Sequence, residues 1–139
     1  MAVALLGAGG AAAEEIRGAA RVLTGDTLEI NGQIVGLFGV AAPQRNERCL
    51  AGSLPWLCGP AAVQHMEKLV AGQEVVCRIH AIDRELKRKL GGCLAGGRDL
   101  ALQMVGAGWA AADPKEGGAY LSTQAKARAA GIGIWQGRR

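Results

Sequence analysis

Asn31-Gly32 stands between two runs of alternating apolar and polar residues, 26–31 (DTLEIN) and 33–40 (QIVGLFGV). A two-residue hairpin loop of the favoured twist needs positive φ at both central positions, and Asn followed by Gly adopts that geometry at least cost. An antiparallel pair is therefore set early in the chain, and the rest of the fold must build on a sheet. The segment 16–24 (IRGAARVLT) alternates in the same way and supplies a further strand. β-Branched content marks 73–81 (QEVVCRIHA) as another, followed by a charged turn over 83–89, a strand over 90–95 and a tight turn at Gly96-Gly97.

Helical spacing appears between and after these strands. Pro60 suits an early helical position, and Val63, Met66, Leu69 and Val70 recur at helical spacing over 60–70, with Gly72 ending the run. Helices are predicted over 98–107, broken at Gly108, and over 119–130, stopped by Gly131, while 41–57 and 112–118 read as irregular loops. Ile132-Gly133-Ile134-Trp135 supplies an apolar anchor near the end. Strands first, with helices inserted between and after them, predict a single α+β domain over 16–139 built on a small barrel.

At 139 residues the chain can bury a real core, although Ala and Gly make up much of its 50% hydrophobic fraction. A net charge of +4 permits a nucleic-acid partner without requiring one. Residues 1–15 have two readings. The apolar and small residues 2–13, ending in Ala11-Ala12-Ala13 before Glu14-Glu15, fit the core and cleavage site of a secretory signal that lacks its basic start. The same composition also fits an unstructured tail. The run is too short for a transmembrane span.

Cys49, Cys58, Cys77 and Cys93 contain no C-x-x-C, and His65 and His80 are not at zinc-finger intervals, so a structural zinc is not expected. Two disulfides in an oxidising compartment fit better, which points to a periplasmic or secreted protein; buried thiols in a cytoplasmic one are the alternative. Of three pairings, Cys49–Cys58 closes a short loop and Cys77–Cys93 could join neighbouring strands, and these two are favoured.

The order of motifs resembles the staphylococcal nuclease (thermonuclease) family. Gly25-Asp26-Thr27 lies on the first hairpin, Leu37-Phe38-Gly39-Val40-Ala41-Ala42-Pro43 follows it, and Pro55-Trp56-Leu57-Cys58-Gly59 opens a helix. Asp83-Arg84 on a hairpin, Ala107-Gly108-Trp109 after a helix and Gly133-Ile134-Trp135 complete the likeness, which covers about residues 17–137. The resemblance implies a five-stranded OB-fold β-barrel with three α-helices. It also implies Ca²⁺-dependent hydrolysis of DNA and RNA phosphodiesters. Such chemistry needs carboxylates around a hard cation, a carboxylate acting on water and arginines gripping the phosphate.

Position by position, few of those groups remain. Asp26 matches the first metal carboxylate of the family. Gly36 stands where the family has an arginine, Ala41 where it has the second metal carboxylate, and Gln44 where it has the glutamate that acts on water. Glutamine takes no proton at neutral pH. In the basic turn, Arg84, Lys87 and Arg88 are the candidate phosphate-binding residues, with one residue inserted and the turn glycine lost relative to the family pattern. Losing one transition-state donor costs about 3–4 kcal/mol, and here a donor, a ligand and the presumed base are absent together.

The expected function is therefore a degenerate family member that has lost nuclease activity. It would serve as a non-catalytic binding or structural module, a subunit of a larger protein assembly, and would need no cofactor. One alternative is a weak or altered phosphodiesterase using Ca²⁺, with Asp26 joined by Glu47 or Glu29 as substitute carboxylates and Arg45 or Arg48 as phosphate donors. Another is an oligonucleotide-binding OB module. His65 and His80 are expected to be surface or core residues. Asp26 is read first as a turn-forming residue bonding nearby backbone amides, and Trp56, Trp109 and Trp135 as packing groups.

Overall fold

The computed structural model describes residues 14–137. The Asn31-Gly32 turn forms as expected, with φ of 51° and 77°. It joins β3 (Thr27–Ile30) to β4 (Gln33–Leu37) in antiparallel register, with Thr27 opposite Gly36. Before them, β1 (Glu15–Gly18) and β2 (Ala20–Thr24) form one strand bent at Gly18-Ala19. Its two halves serve opposite edges: β1 pairs with β8 (Val75–Asp83) and β2 pairs with β3. β8 turns into β9 (Arg88–Ala95), and β9 lies parallel to β4. The order β1-β8-β9-β4-β3-β2 thus closes on itself through the bent strand. Counted with that strand as one, this is the expected five-stranded OB-like barrel, and closure removes the open edges that an isolated sheet would expose.

The barrel interior holds Leu28, Ile30, Val35, Leu37 and Val75, all at most 1% exposed. Each such side chain contributes about 1.5–3 kcal/mol by leaving water. Ala62, Met66 and Val70 on α1 (Cys58–Val70) and Leu100 and Met104 on α2 (Leu100–Gly106) join the same core. Cys77 and Cys93 face each other across β8 and β9 and are bonded (S–S 2.07 Å), while Cys49–Cys58 (S–S 2.03 Å) ties the segment before α1 to its first residue. Both favoured pairings are present. α3 (Leu121–Ala130) follows a 3-10 turn at Gly118–Tyr120 and ends on Gly131 at φ 65°. None of the helices among the described residues is long and apolar enough to cross a membrane.

Three expectations need correction. The segment 41–57 is not irregular throughout. It contains β5 (Val40–Ala41), paired with β11 (Ala111–Ala112), and a small hairpin of β6 (Cys49–Ala51) and β7 (Leu54–Trp56). Strands of two or three residues are too short to show alternation. The predicted helix over 98–107 begins with a two-residue strand, β10 (Arg98–Asp99), paired to the end of β9; Asp99 then caps α2 by accepting from the Leu102 N–H at 3.1 Å. The barrel also begins before residue 16. Glu15 is already in β1 and the Glu14 carbonyl accepts from the Ile79 N–H. The signal-or-tail reading of residues 1–13 lies outside the described residues.

Candidate functional site

The turn Gly25-Asp26-Thr27 is pressed into the body of the protein. A Cβ on Gly25 would lie 2.9 Å from the side chains of both Ala42 and Ala62, so only glycine allows this approach. Asp26 follows it and is 8% exposed. Its Oδ1 accepts from the hydroxyls of Thr24 (2.7 Å) and Thr27 (2.8 Å), and its Oδ2 accepts from the Ala42 N–H (2.8 Å). The carboxylate thus does act as a turn-former, but the amide it bonds is sixteen positions away rather than nearby. It pins the 41–44 segment to the first hairpin.

The fourth partner of Asp26 is Arg88. Its guanidinium lies 3.4 Å from Asp26 Oδ1 and donates to Thr27 Oγ1, while its Nε donates to Asp83 Oδ2 at 3.2 Å. To reach Thr27 from β9, the Arg88 side chain must cross β4, and it crosses at Gly36. A Cβ on Gly36 would sit 2.8 Å from three atoms of the guanidinium group. The bare glycine is the passage for this arm. Arg88, Asp26 and Asp83 have side chains only 14%, 12% and 21% exposed, so the cluster is largely withdrawn from water.

The other candidate residues are dispersed. Ala41 and Gln44 are exposed, and the Gln44 N–H donates to Glu47 Oε1 at 2.9 Å. Arg45 donates to the carbonyl of Leu23 at 2.9 Å, and Glu29 pairs with Arg21 at 3.0 Å, so neither is turned toward Asp26. Arg48 is exposed. Arg84 and Lys87 stand exposed on the four-residue turn between β8 and β9, with Lys87 at φ 52°; there Asp83 Oδ1 accepts from the Leu86 N–H. That bond, with the Arg88 guanidinium, holds the Asp83 carboxyl below its ordinary value. Among the described residues, one group of three His, Cys, Asp or Glu side chains brings its ligand atoms together, Glu47, Cys49 and Cys58, and its two sulfurs are bonded to each other. It is no metal site.

The histidines and tryptophans are peripheral to this cluster. His80 is the extra residue of a bulge in β8 and packs on Phe38 at 5.4 Å. His65 lies 6.2 Å from Trp109, and burial, then the Lys68 charge, lowers its pKa. Trp109 also meets Trp56 at 6.0 Å, and Trp135 is buried beneath the Arg128 guanidinium at 5.3 Å. Tyr120 donates to Asp99 Oδ2 at 3.2 Å, and burial with the Asp99 charge pushes its phenol up to about 12. It joins the α3 entry to the α2 cap.

The family model described as staphylococcal nuclease homologue matches residues 34–137. The chain belongs to this family. It is also 35% identical over 129 residues to the succinoglycan biosynthesis protein ExoI of Rhizobium meliloti (strain 1021), covering 90% of this chain and 67% of that protein. In this staphylococcal nuclease homologue the residues around Asp26 do not fit a calcium ion. Ca²⁺ takes six to eight oxygen ligands. Here both oxygens of the Asp26 carboxylate already accept hydrogen bonds, and the Arg88 guanidinium stands between it and Asp83. The substitution at 36 was visible in the sequence as a missing arginine. What the sequence did not show is that an arginine from β9 lies over the vacated position. The signal for it, a basic residue two places before the β9 partner of Gly36, becomes readable only once the parallel pairing of β4 with β9 is known.

Proposed function

We propose that this chain is a non-catalytic member of its family, its barrel retained as a binding or structural module in a larger assembly outside the cytoplasm. One observation carries the reading: Asp26 is satisfied by Thr24, Thr27, Ala42 and Arg88, so the one matching carboxylate serves the fold rather than a cation. Ala41 and Gln44 add no ligand or base, and the two disulfides favour an oxidising compartment. The relative's name ties that protein to succinoglycan biosynthesis. By analogy, the present chain would serve a biosynthetic complex as an accessory subunit rather than degrade nucleic acid.

The test is a nuclease assay on DNA and RNA with and without Ca²⁺. The unaltered chain is expected to give no Ca²⁺-dependent cleavage. A variant restoring Gly36→Arg, Ala41→Asp and Gln44→Glu must also carry Arg88→Gly, because the new arginine would otherwise meet the Arg88 guanidinium. Ca²⁺-dependent cleavage by the unaltered chain at the rate of ordinary family members would sink the proposal.

A second reading, an oligonucleotide-binding OB module, draws on the exposed cations Arg84 and Lys87 at the β8–β9 tip. It predicts affinity for single strands that falls with salt, log K against log salt having a slope of about −0.7 per neutralised phosphate. Salt-independent or undetectable binding dismisses it.

A further inference from the structure

A second group of cations lies apart from Asp26, between α1, the β9–β10 turn and α2. There a cleft of about 300 Å³ is floored by Leu69, Ala95 and Leu100 and rimmed by Lys68, Gln73, Arg98 and Gln103. We propose that this cleft binds a small ligand bearing an oxyanion, a carboxylate or phosphate group on a polar body about the size of one sugar.

The charge arrangement is the first argument. Lys68 and Arg98 form no ion pair among the described residues, and the cleft has no acidic lining residue. The acids close in sequence are occupied or turned away. Glu67 and Glu74 line a different cleft, against β2, and Glu74 faces Arg17 at 3.7 Å. The Asp99 carboxylate is taken by the Leu102 N–H and the Tyr120 hydroxyl. Nor does the end of α1 compete for Lys68 with open carbonyls at every position: the Glu67 and Val70 carbonyls accept from Ala71 and Gln73. Two cations are left facing one space.

The second argument is the remaining lining. Gln73 and Gln103 are neutral groups that both donate and accept, suited to hydroxyls rather than to a second charge. The accessible lining is mainly polar, with Ala95 and Leu100 largely covered beneath it, which suits a charged, hydroxyl-bearing ligand rather than an apolar one. The volume is at the lower end of the range for small-molecule sites, about 300–1,000 Å³. The larger cleft beside β2, about 650 Å³, carries charges of both signs in Arg21, Glu67 and Glu74, and does not select an anion in this way.

The full chain, isotopically labelled, is titrated with inorganic phosphate and separately with glucuronate, while backbone amide shifts are followed by NMR. Sodium chloride at matched ionic strength is the control. Saturable shifts confined to 68–73 and 95–103 are expected with one or both probes, half-complete on the order of 1 mM, a weak single-group affinity. Phosphate alone would indicate a phosphoester ligand, and glucuronate alone a sugar acid. Lys68→Gln or Arg98→Gln should weaken binding roughly tenfold each, as loss of a charge-assisted hydrogen bond does. Both side chains are exposed, and an unchanged melting temperature would show that the variants fold. Shifts that fail to saturate, equal those in chloride, persist in the variants or map instead to 84–89 would overturn the proposal.

Discussion

Arg88 and Arg98 sit near opposite ends of β9 and its extension, and they are put to opposite use. Arg88 turns inward over Gly36 and is surrounded by Asp26, Asp83 and Thr27. Arg98 lines a cleft with Lys68 and forms no ion pair among the described residues. The contrast changes how the net charge of +4 is read. In sequence, 83–89 is the densest basic stretch, yet two of its four cations are spent within the fold, Arg88 on two aspartates and Lys89 on Glu14 at 2.6 Å. The cations of the cleft come from positions thirty residues apart and look unremarkable until the helices pack. Charge density along a chain is a poor guide to charge available to a ligand.

Removing the inward arginine should produce the largest effect. Arg88→Leu leaves Asp26 and Asp83 facing each other's neighbourhood without a cation, in a site mostly closed to water. Breaking a buried pair from one side costs about 3–5 kcal/mol, and these groups, slightly exposed, belong near the lower figure. Arg98→Gln should change stability by less than about 0.5 kcal/mol, as surface substitutions do. Urea denaturation of the two variants measures the difference directly. A loss below 1 kcal/mol for Arg88→Leu would show that the cluster does not hold the barrel, and would reopen Asp26 to other partners.

Acid should expose the same asymmetry more gently. Asp83 is held below its ordinary value of 3.8, first by the Leu86 N–H and then by Arg88. Its folded pKa is depressed, so its contribution is present above 3.8 and is lost as pH falls through the folded value. Asp113 behaves alike through the N–H groups of Glu116 and Lys115. Stability measured from pH 5 downward should therefore fall, and Asp83→Asn should flatten part of that fall. The cleft should contribute nothing to it, because Lys68 and Arg98 form no ion pair among the described residues. An Asp83→Asn profile parallel to that of the unaltered chain would contradict this.

Much of the barrel was legible because its signals are local. Asn31-Gly32 demands its own turn, the apolar positions of α1 repeat at helical spacing, and Gly131 stops α3 where a left-handed residue is needed. The cysteine pairs were legible for a related reason: one closes a short loop and the other joins strands already predicted to be neighbours. What escaped depends on contacts between distant elements. The β6–β7 hairpin pairs strands of only three residues, and the Cys49–Cys58 bond ties its first strand to the start of α1. At the site, the sequence showed which groups were missing at 36, 41 and 44. That an arginine fills the space at 36 follows from the parallel β4–β9 register, which no periodicity reveals.

Lys87 belongs to neither group of cations and offers the smallest and sharpest test. It is exposed at the tip of the β8–β9 turn, with φ of 52°, where a side chain crowds the following carbonyl. Holding an ordinary residue there costs about 1–2 kcal/mol relative to glycine, partly offset by the greater freedom glycine has when unfolded. Lys87→Gly should thus stabilise the protein by up to about 1 kcal/mol, whereas Lys87→Ala, which keeps the Cβ, should gain nothing. Equal effects of the two would mean that the turn relaxes freely. The strain is worth retaining if the charge at 87 meets a ligand. In that case Lys87→Gly, though more stable, would bind single-stranded oligonucleotides more weakly and with a shallower salt dependence. Gained stability with unchanged binding would leave the tip a solvated turn.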